Sequence, residues 1–173
     1  MTTSPAYDWS QFTKRININA PVSLVYDMWS TQSGMEKWFL RLAEFTKKTG
    51  ALRRLDEHYK EGDNYKWLWH GYPDSAVEFG EIKAANGKDF MLFTFCAAGA
   101  KTDMQVSVTI KREEETIVEL KQFNIPQDER GKINFHLGCM EGWVFYLTNL
   151  KSILEGGIDL RNKNVNVQRV LTA

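Results

Sequence analysis

The stretch Lys132–Leu154, KINFHLGCMEGWVFYLTNLKSIL, decides how the rest of the chain is read. Its apolar residues Met140, Trp143, Leu147, Leu150 and Leu154 recur at alternating spacings of three and four, which puts them on one stripe of an α-helix. The register continues back through His136. At 1.5 Å per residue such a helix is about 35 Å long, and Gly156-Gly157 supplies its C-terminal stop. One long apolar stripe needs a broad partner surface, and only the strands that precede it in the sequence offer one. The expected fold class is therefore α+β, a curved antiparallel sheet wrapped around one long C-terminal helix.

Working outward, Phe12–Asn19 (FTKRININ) alternates apolar and polar side chains as a half-buried strand does. Pro21 suits the first position of a short helix through PVSLVYDMWS, with Val22, Val25, Tyr26 and Trp29 on one face. Ser33, with Glu36 three residues on, reads as a capping box for a second short helix through GMEKWFLRL. Residues 42–60 stay undecided between strand and helical turn. After the turn Gly62-Asp63-Asn64, the segment YKWLWHG sets Tyr65, Trp67 and Trp69 on one strand face and Lys66, Leu68 and His70 on the other. Asn86-Gly87 between Val77–Ala84 and Asp89–Cys96 is a hairpin signal. A turn is expected over Ala97–Lys101. Alternating segments from Met104 to Ile110 and from Thr116 to Lys121 then flank the charged reversal KREEE, and Pro126 ends the sheet. These elements predict one domain over 12–162, a flexible lead-in over 1–11 and a tail over 163–173, whose Val165, Val167 and Val170 read either as an extra strand or as disorder.

Composition narrows the function classes. The 22 Lys and Arg balance 22 Asp and Glu, so no global field recruits nucleic acid or an anionic membrane surface. No apolar run approaches the ~18 residues of a membrane span and the N-terminus lacks a signal-like apolar core, so a cytoplasmic protein is expected. Cys96 and Cys139 read as free thiols. Aromatic residues make up 13% of the chain, with six Trp and ten Phe, which predicts either a bulky core or a ring-lined cavity.

In order and in local motifs, this chain resembles the helix-grip domains of the START-like (SRPBCC) superfamily, and within it the bacterial proteins homologous to the C-terminal domain of the activator of heat-shock protein 90 ATPase. The residues that carry the resemblance are Ile18-Asn19-Ala20-Pro21, Met35-Glu36-Lys37-Trp38-Phe39, Gly62-Asp63-Asn64-Tyr65 with Trp67, and Gly142-Trp143. They continue through Leu147, Asn149, Leu150, Leu154 and Glu155 to Gly157, Asp159, Leu160 and Arg161. The resemblance implies a pocket between sheet and helix, with Trp38 and Phe39 at its mouth, and a chaperone or other protein as a possible partner.

The candidate ligand cavity comprises Trp67 and Trp69 facing Trp143, together with Trp38, Phe39, Phe93, Phe95, Met104 and Leu147. Rings in that arrangement suit a small apolar, planar or lipid-like ligand; the alternative is that they simply fill the core. His136 and Cys139 stand one helical turn apart, but two ligands do not make a zinc site and no base, orienting group and oxyanion site accompany the thiol. His70, with Asp74 and Glu78 near it in sequence, is a general-base candidate that strand parity turns away from Trp67 and Trp69. No catalytic set, metal or cofactor is therefore expected. Gly142 costs a helix about 1 kcal/mol relative to Ala, and the expected reason is a strand, Met104–Ile110 or its neighbour, passing too close for a Cβ, so that Gly142→Leu would unfold or swell the domain. Three functions remain: binding of a small apolar ligand without covalent chemistry, docking on a chaperone or other protein, and a cyclase or hydrolase built in the cavity.

Overall fold

The computed structural model describes residues 6–95, 103–164, 166–167 and 170. Cys96 and the turn expected over Ala97–Lys101 lie outside the described residues. Seven antiparallel strands form one sheet: β1 (Phe12–Ile18), β2 (Leu42–Thr46), β3 (Asn64–Leu68), β4 (Val77–Ala85), β5 (Phe90–Thr94), β6 (Gln105–Arg112) and β7 (Thr116–Phe123), in the spatial order β1-β7-β6-β5-β4-β3-β2. Two short helices, α1 (Val22–Ser30) and α2 (Gln32–Trp38), follow β1, and α3 (Gly138–Leu154) closes the chain against the inner face. This is the helix-grip arrangement. The Asn86-Gly87 hairpin joins β4 to β5, with Gly87 in the left-handed region at φ 75° and the Asn86 side chain accepting from the backbone N–H groups of Lys88, Asp89 and Phe90.

The inner face is apolar because alternate residues point to it. Met91 and Phe93, Val106, Val108 and Ile110, then Val118 and Leu120, are all at most 1% exposed. Against them α3 lays Trp143, Leu147 and Leu150, with Met140 and Leu154 half-buried at its ends. The long helix is not α-helical throughout. Residues Gly131–Leu137 form a π-helical turn, in which the Gly138 N–H donates to Ile133 O, so α3 proper spans 17 residues, about 25 Å. The extra residue breaks the stripe expected through His136, and that side chain leaves the sheet for another partner.

That partner is the N-terminal segment. The lead-in expected to be flexible packs, over its described part, around His136: the rings of Tyr7, Trp9 and Phe12 lie edge-on at 5.1–5.4 Å. The Trp9 carbonyl can only accept, so His136 Nδ1 donates to it at 2.9 Å, and Nε2 is hydrogen-bonded to the Tyr7 hydroxyl at 2.8 Å. His136 is thus a satisfied structural group.

The helical corner is capped otherwise than the sequence predicts. Thr31, in an extended conformation, accepts from Gly34 N at 3.0 Å and caps α2, whereas Ser33 is already inside the helix and Glu36 accepts from Ala43 N instead of closing a capping box. The undecided residues 42–60 begin as β2 and continue as a loop held by charge. The Arg53 guanidinium, buried, pairs with Asp63 and with Glu57, and Glu57 also takes Lys47 at 3.0 Å. Loops stabilised this way carry no period to read. In the tail, Val167 and Val170 are exposed outside any strand, and Val165 lies outside the described residues.

Beyond α3 the chain turns back and ties α3 to α2. Arg161 is 6% exposed and donates to the carbonyls of Glu36, Lys37 and Leu40 at 3.1, 2.7 and 3.0 Å, which are the acceptors left over at the end of α2. Its guanidinium also pairs with Asp159, while Asn149 of α3 donates to Trp38 O and accepts from Leu160 N, each at 2.7 Å. Burial pushes the Asp159 carboxyl upward, but hydrogen bonds from Arg161 and Lys163 outweigh it and hold the group well below the usual carboxylate range. Burial, and then the charges of Arg161, Lys163 and Arg41, push His70 down from 6.5 to about 4. Both groups take up protons more readily in the unfolded chain, so stability falls as pH falls. The expected decline has two stages: from pH 6.5 towards 4 through His70, and below 3.8 through Asp159. Urea midpoints across this range check it, and His70→Asn should remove the first stage while leaving the second.

Candidate functional site

The sheet and helix do not close on each other where β4 and α3 both begin. A cavity of about 500 Å³, partly open to solvent, lies between them. Its helix side is formed by Gly138, Cys139, Gly142, Trp143 and Tyr146, which recur on one face of the first turns of α3, with Asn134 of the π turn at the rim. Its sheet side is the start of β4, at Val77 and Glu78, and Phe95, just past the end of β5. The loop between β3 and β4 contributes Trp69, Tyr72, Ser75 and Ala76, and Phe39 enters from the end of α2.

Four of the nine predicted cavity residues, Phe39, Trp69, Phe95 and Trp143, line this space. Trp38, Trp67, Phe93, Met104 and Leu147 do not: they are at most 2% exposed and belong to the close-packed core behind it. Trp38 turns inward because its indole N–H donates to Met28 O at 2.8 Å, so it packs edge-on against Trp29 and leaves the mouth to Phe39. Trp67 stacks on Tyr65 at 3.8 Å. Trp69 lies just past the end of β3, and freedom from the ladder lets its ring, half-buried, turn to the rim.

The rings are held in fixed attitudes. Phe39 stacks on Trp143 with centroids 5.1 Å apart and 29° between planes, whereas Trp69 and Tyr146 meet Phe39 nearly at right angles, 88° and 83°. Trp143 is anchored from behind: its Nε1–H donates to Gln122 Oε1 at 2.8 Å, and the Gln122 amide, fully buried on β7, reaches Phe135 O at 3.4 Å. Such a pinned indole is a preorganised wall.

Gly142 overturns the expectation placed on it. No strand crosses it, and a Cβ built there meets no atom within 4 Å. The missing side chain keeps the cavity open. Close approach is instead found at Gly80, where a Cβ would strike the Tyr65 ring at 2.3 Å. Its absence lets the Tyr65 hydroxyl reach Thr94 O at 2.7 Å and Glu78 Oε1 at 3.1 Å.

Glu78, which the sequence offers only as a neighbour of His70, stands on the cavity wall. β4 pairs with β3 so that Glu78 opposes Trp67, which turns its carboxylate to the inner face, 2% exposed, and turns Phe79 out, 62% exposed. Local hydrophobicity alone argues for the reverse; the signal that finds Glu78 is the cross-strand register with the aromatic strand.

The chemistry available is limited. Burial first, and the charge of Glu78 with it, push the Cys139 thiol up to about 11, so it is not a thiolate near neutral pH. Asp27, His58 and Ser30 lie in series, with His58 Nε2 at 3.2 Å from Asp27 and Nδ1 at 2.6 Å from Ser30 Oγ. That hydroxyl is fully buried and donates to Tyr26 O at 2.7 Å, so it is not a nucleophile. His70 is not on the cavity wall. No group of three or more metal-ligating side chains exists among the described residues, and none of their helices is long and apolar enough to cross a membrane.

Residues 19–155 match the family described as Activator of Hsp90 ATPase homolog 1-like protein. The chain belongs to this family. The match ends before the Asp159–Arg161 strap and includes Gly142, Trp143 and the whole sheet apart from β1. Solved structures with the same fold include a Staphylococcus saprophyticus protein, 18% identical over 87% of this chain and 96% of that one with a TM-score of 0.66. The Aha1 dimer of Colwellia psychrerythraea is 16% identical over 85% and 97% of the two chains, at a TM-score of 0.63. CalU16 of Micromonospora echinospora is 17% identical over 87% and 77%, also at 0.63. At such identities the likeness is one of fold. A comparison with curated proteins finds no match.

Proposed function

We propose that this member of the Hsp90 ATPase activator homolog 1-like family binds a small apolar or lipid-like ligand between its sheet and α3, without covalent chemistry, in the cytoplasm. The observation that carries the reading is the cavity itself: about 500 Å³ walled by fixed rings and backed by a cluster of buried apolar side chains. Phe39, Trp69, Phe95 and Trp143 contact the ligand, while Trp38, Trp67, Phe93, Met104 and Leu147 hold those rings in place. The raised Cys139 thiol and the committed Ser30 hydroxyl favour binding over catalysis.

The indole N–H resonances test this. Titration with a neutral planar aromatic is expected to move those of Trp69 and Trp143 and to leave those of Trp29 and Trp38 in place. Uniform movement, or none, contradicts the reading. A second reading, docking on a chaperone or other protein, draws on the family description and on Ile133, Leu137 and Val144, which are 54%, 45% and 48% exposed on the helix surface. Retention of the protein by the chaperone's middle domain, lost when Leu137 and Val144 are made polar, would support it.

A further inference from the structure

We propose that His136 is a positioning residue for the ligand site: clasped by the N-terminal segment, it holds the entrance of the long helix in the π register that shapes the cavity rim. The inference rests on the cavity reading above and says what sets the shape of that cavity. Counting back from the wall residue Cys139 in the α-helical steps of three and four reaches His136 and Phe135. An α-helical entrance would therefore aim these two side chains at the cavity. In the π turn the Gly138 N–H donates to Ile133 O, one residue further back, and the Cys139 thiol lies 3.8 Å from Asn134 O. The widened turn sets Asn134 at the rim in their place and sends His136 to the N-terminal segment.

Turns of this kind are rare and cluster at functional sites, so something must favour this one over an α-helical turn. The contacts that do so belong to one register alone. His136, fully buried, donates from Nδ1 to Trp9 O at 2.9 Å, is hydrogen-bonded at Nε2 to the Tyr7 hydroxyl at 2.8 Å, and meets the rings of Tyr7, Trp9 and Phe12 edge-on. The segment is also fastened on either side of these contacts. Ser10 O accepts from Ile125 N at 2.9 Å, just past the end of β7, and Lys132 Nζ of the π turn lies 5.7 Å from the centre of the Trp9 ring. Turning the entrance by one residue, roughly 100° about the helix axis, would carry the imidazole off these partners and leave the Trp9 carbonyl without its donor. Only differential contacts shift a conformational balance, and these stand on the π side. Neither Tyr7 nor Trp9 lines the cavity, so the segment acts on the ligand through His136.

Two replacements in the full chain separate positioning from mere stability. His136→Asn keeps a donor for Trp9 O where Nδ1 stood, whereas His136→Leu keeps none and suits the apolar stripe of α3. Nuclear Overhauser contacts from the side chain at position 136 report the register: to the Trp9 ring in the π form, to Met140 and Trp143 in the α form. The wild type and His136→Asn are expected to show the Trp9 contacts and to bind naphthalene with similar affinity. His136→Leu is expected to switch to Met140 and Trp143 and to bind at least about fivefold more weakly, the lower bound for a site overpacked by an intruding side chain. Trp9 contacts retained in His136→Leu, a switch without loss of affinity, or an equal loss in His136→Asn each overturns the proposal and leaves the cavity standing. A wild type that does not bind naphthalene overturns the cavity reading and this one with it. Should His136→Leu fail to fold, Trp9→Ala on the N-terminal segment serves instead: His136 must then move to Met140 and Trp143 and the affinity must fall, and an unchanged register or an unchanged affinity overturns the proposal.

Discussion

Replacing Arg161 by Ala is expected to lower the stability of the protein by about 3–5 kcal/mol, the range found when one member of a buried, hydrogen-bonded charge pair is removed. The side chain donates to three carbonyls at the end of α2 and pairs with Asp159. Deleting it leaves those acceptors unsatisfied, the more costly since Trp38, Phe39 and Leu40 beside them are at most 1% exposed. Arg161→Lys should recover only part of the loss, because one ammonium cannot span the three carbonyls and the carboxylate that a planar guanidinium reaches together. Urea unfolding followed by tryptophan fluorescence measures both variants. A loss below about 1 kcal/mol for Arg161→Ala would mean that the strap is a surface ion pair of the ordinary kind. The same strap positions the cavity, since α2 delivers Phe39, so a destabilised variant should also bind ligand less tightly.

The second large effect is expected at Gly142, with the opposite sign for stability. An added side chain meets no atom at its Cβ and extends into the cavity, so Gly142→Leu should fold at least as well as the wild type. Removing a mid-helix glycine is worth up to about 1 kcal/mol, and burying the leucine adds to it. Binding is where the variant fails. A ligand forced to share the cavity with that side chain suffers overpacking of roughly 1–3 kcal/mol, or about 5- to 150-fold in affinity. Melting temperature and ligand affinity must therefore move in opposite directions, an outcome that neither a core glycine nor an inert surface glycine produces.

Gly142 also shows where the sequence stops being legible. A glycine inside an amphipathic helix signals that something needs the room, but the pattern does not tell a passing backbone from an open space. Elements in which local period and burial agree are read well: the stripe from Trp143 to Leu154, the alternation of β6 and β7, and the Asn-Gly hairpin all stand where the sequence puts them. Reading fails where tertiary contacts override the local signal. The π turn shifts the register by one residue and hands His136 to Tyr7 and Trp9. The loop after β2 is organised by Arg53 and Asp63, whose pairing leaves no periodic trace. On β4 the register with Trp67 buries Glu78 and exposes Phe79, against their hydrophobicity. Of the predicted rings before α3, those that line the cavity differ from those that do not by where the chain leaves its element: Phe39, Trp69 and Phe95 lie just past the ends of α2, β3 and β5, whereas Trp38, Trp67 and Phe93 are still inside them.

The claim that this space is a binding cavity rather than an imperfection of packing is tested most directly by native mass spectrometry of wild-type protein and Gly142→Leu mixed in equal amounts with an excess of one neutral planar aromatic. The expected spectrum shows a one-to-one adduct on the wild type and bare Gly142→Leu beside it. Adducts of equal abundance on both proteins, or on neither, would contradict the assignment of the site.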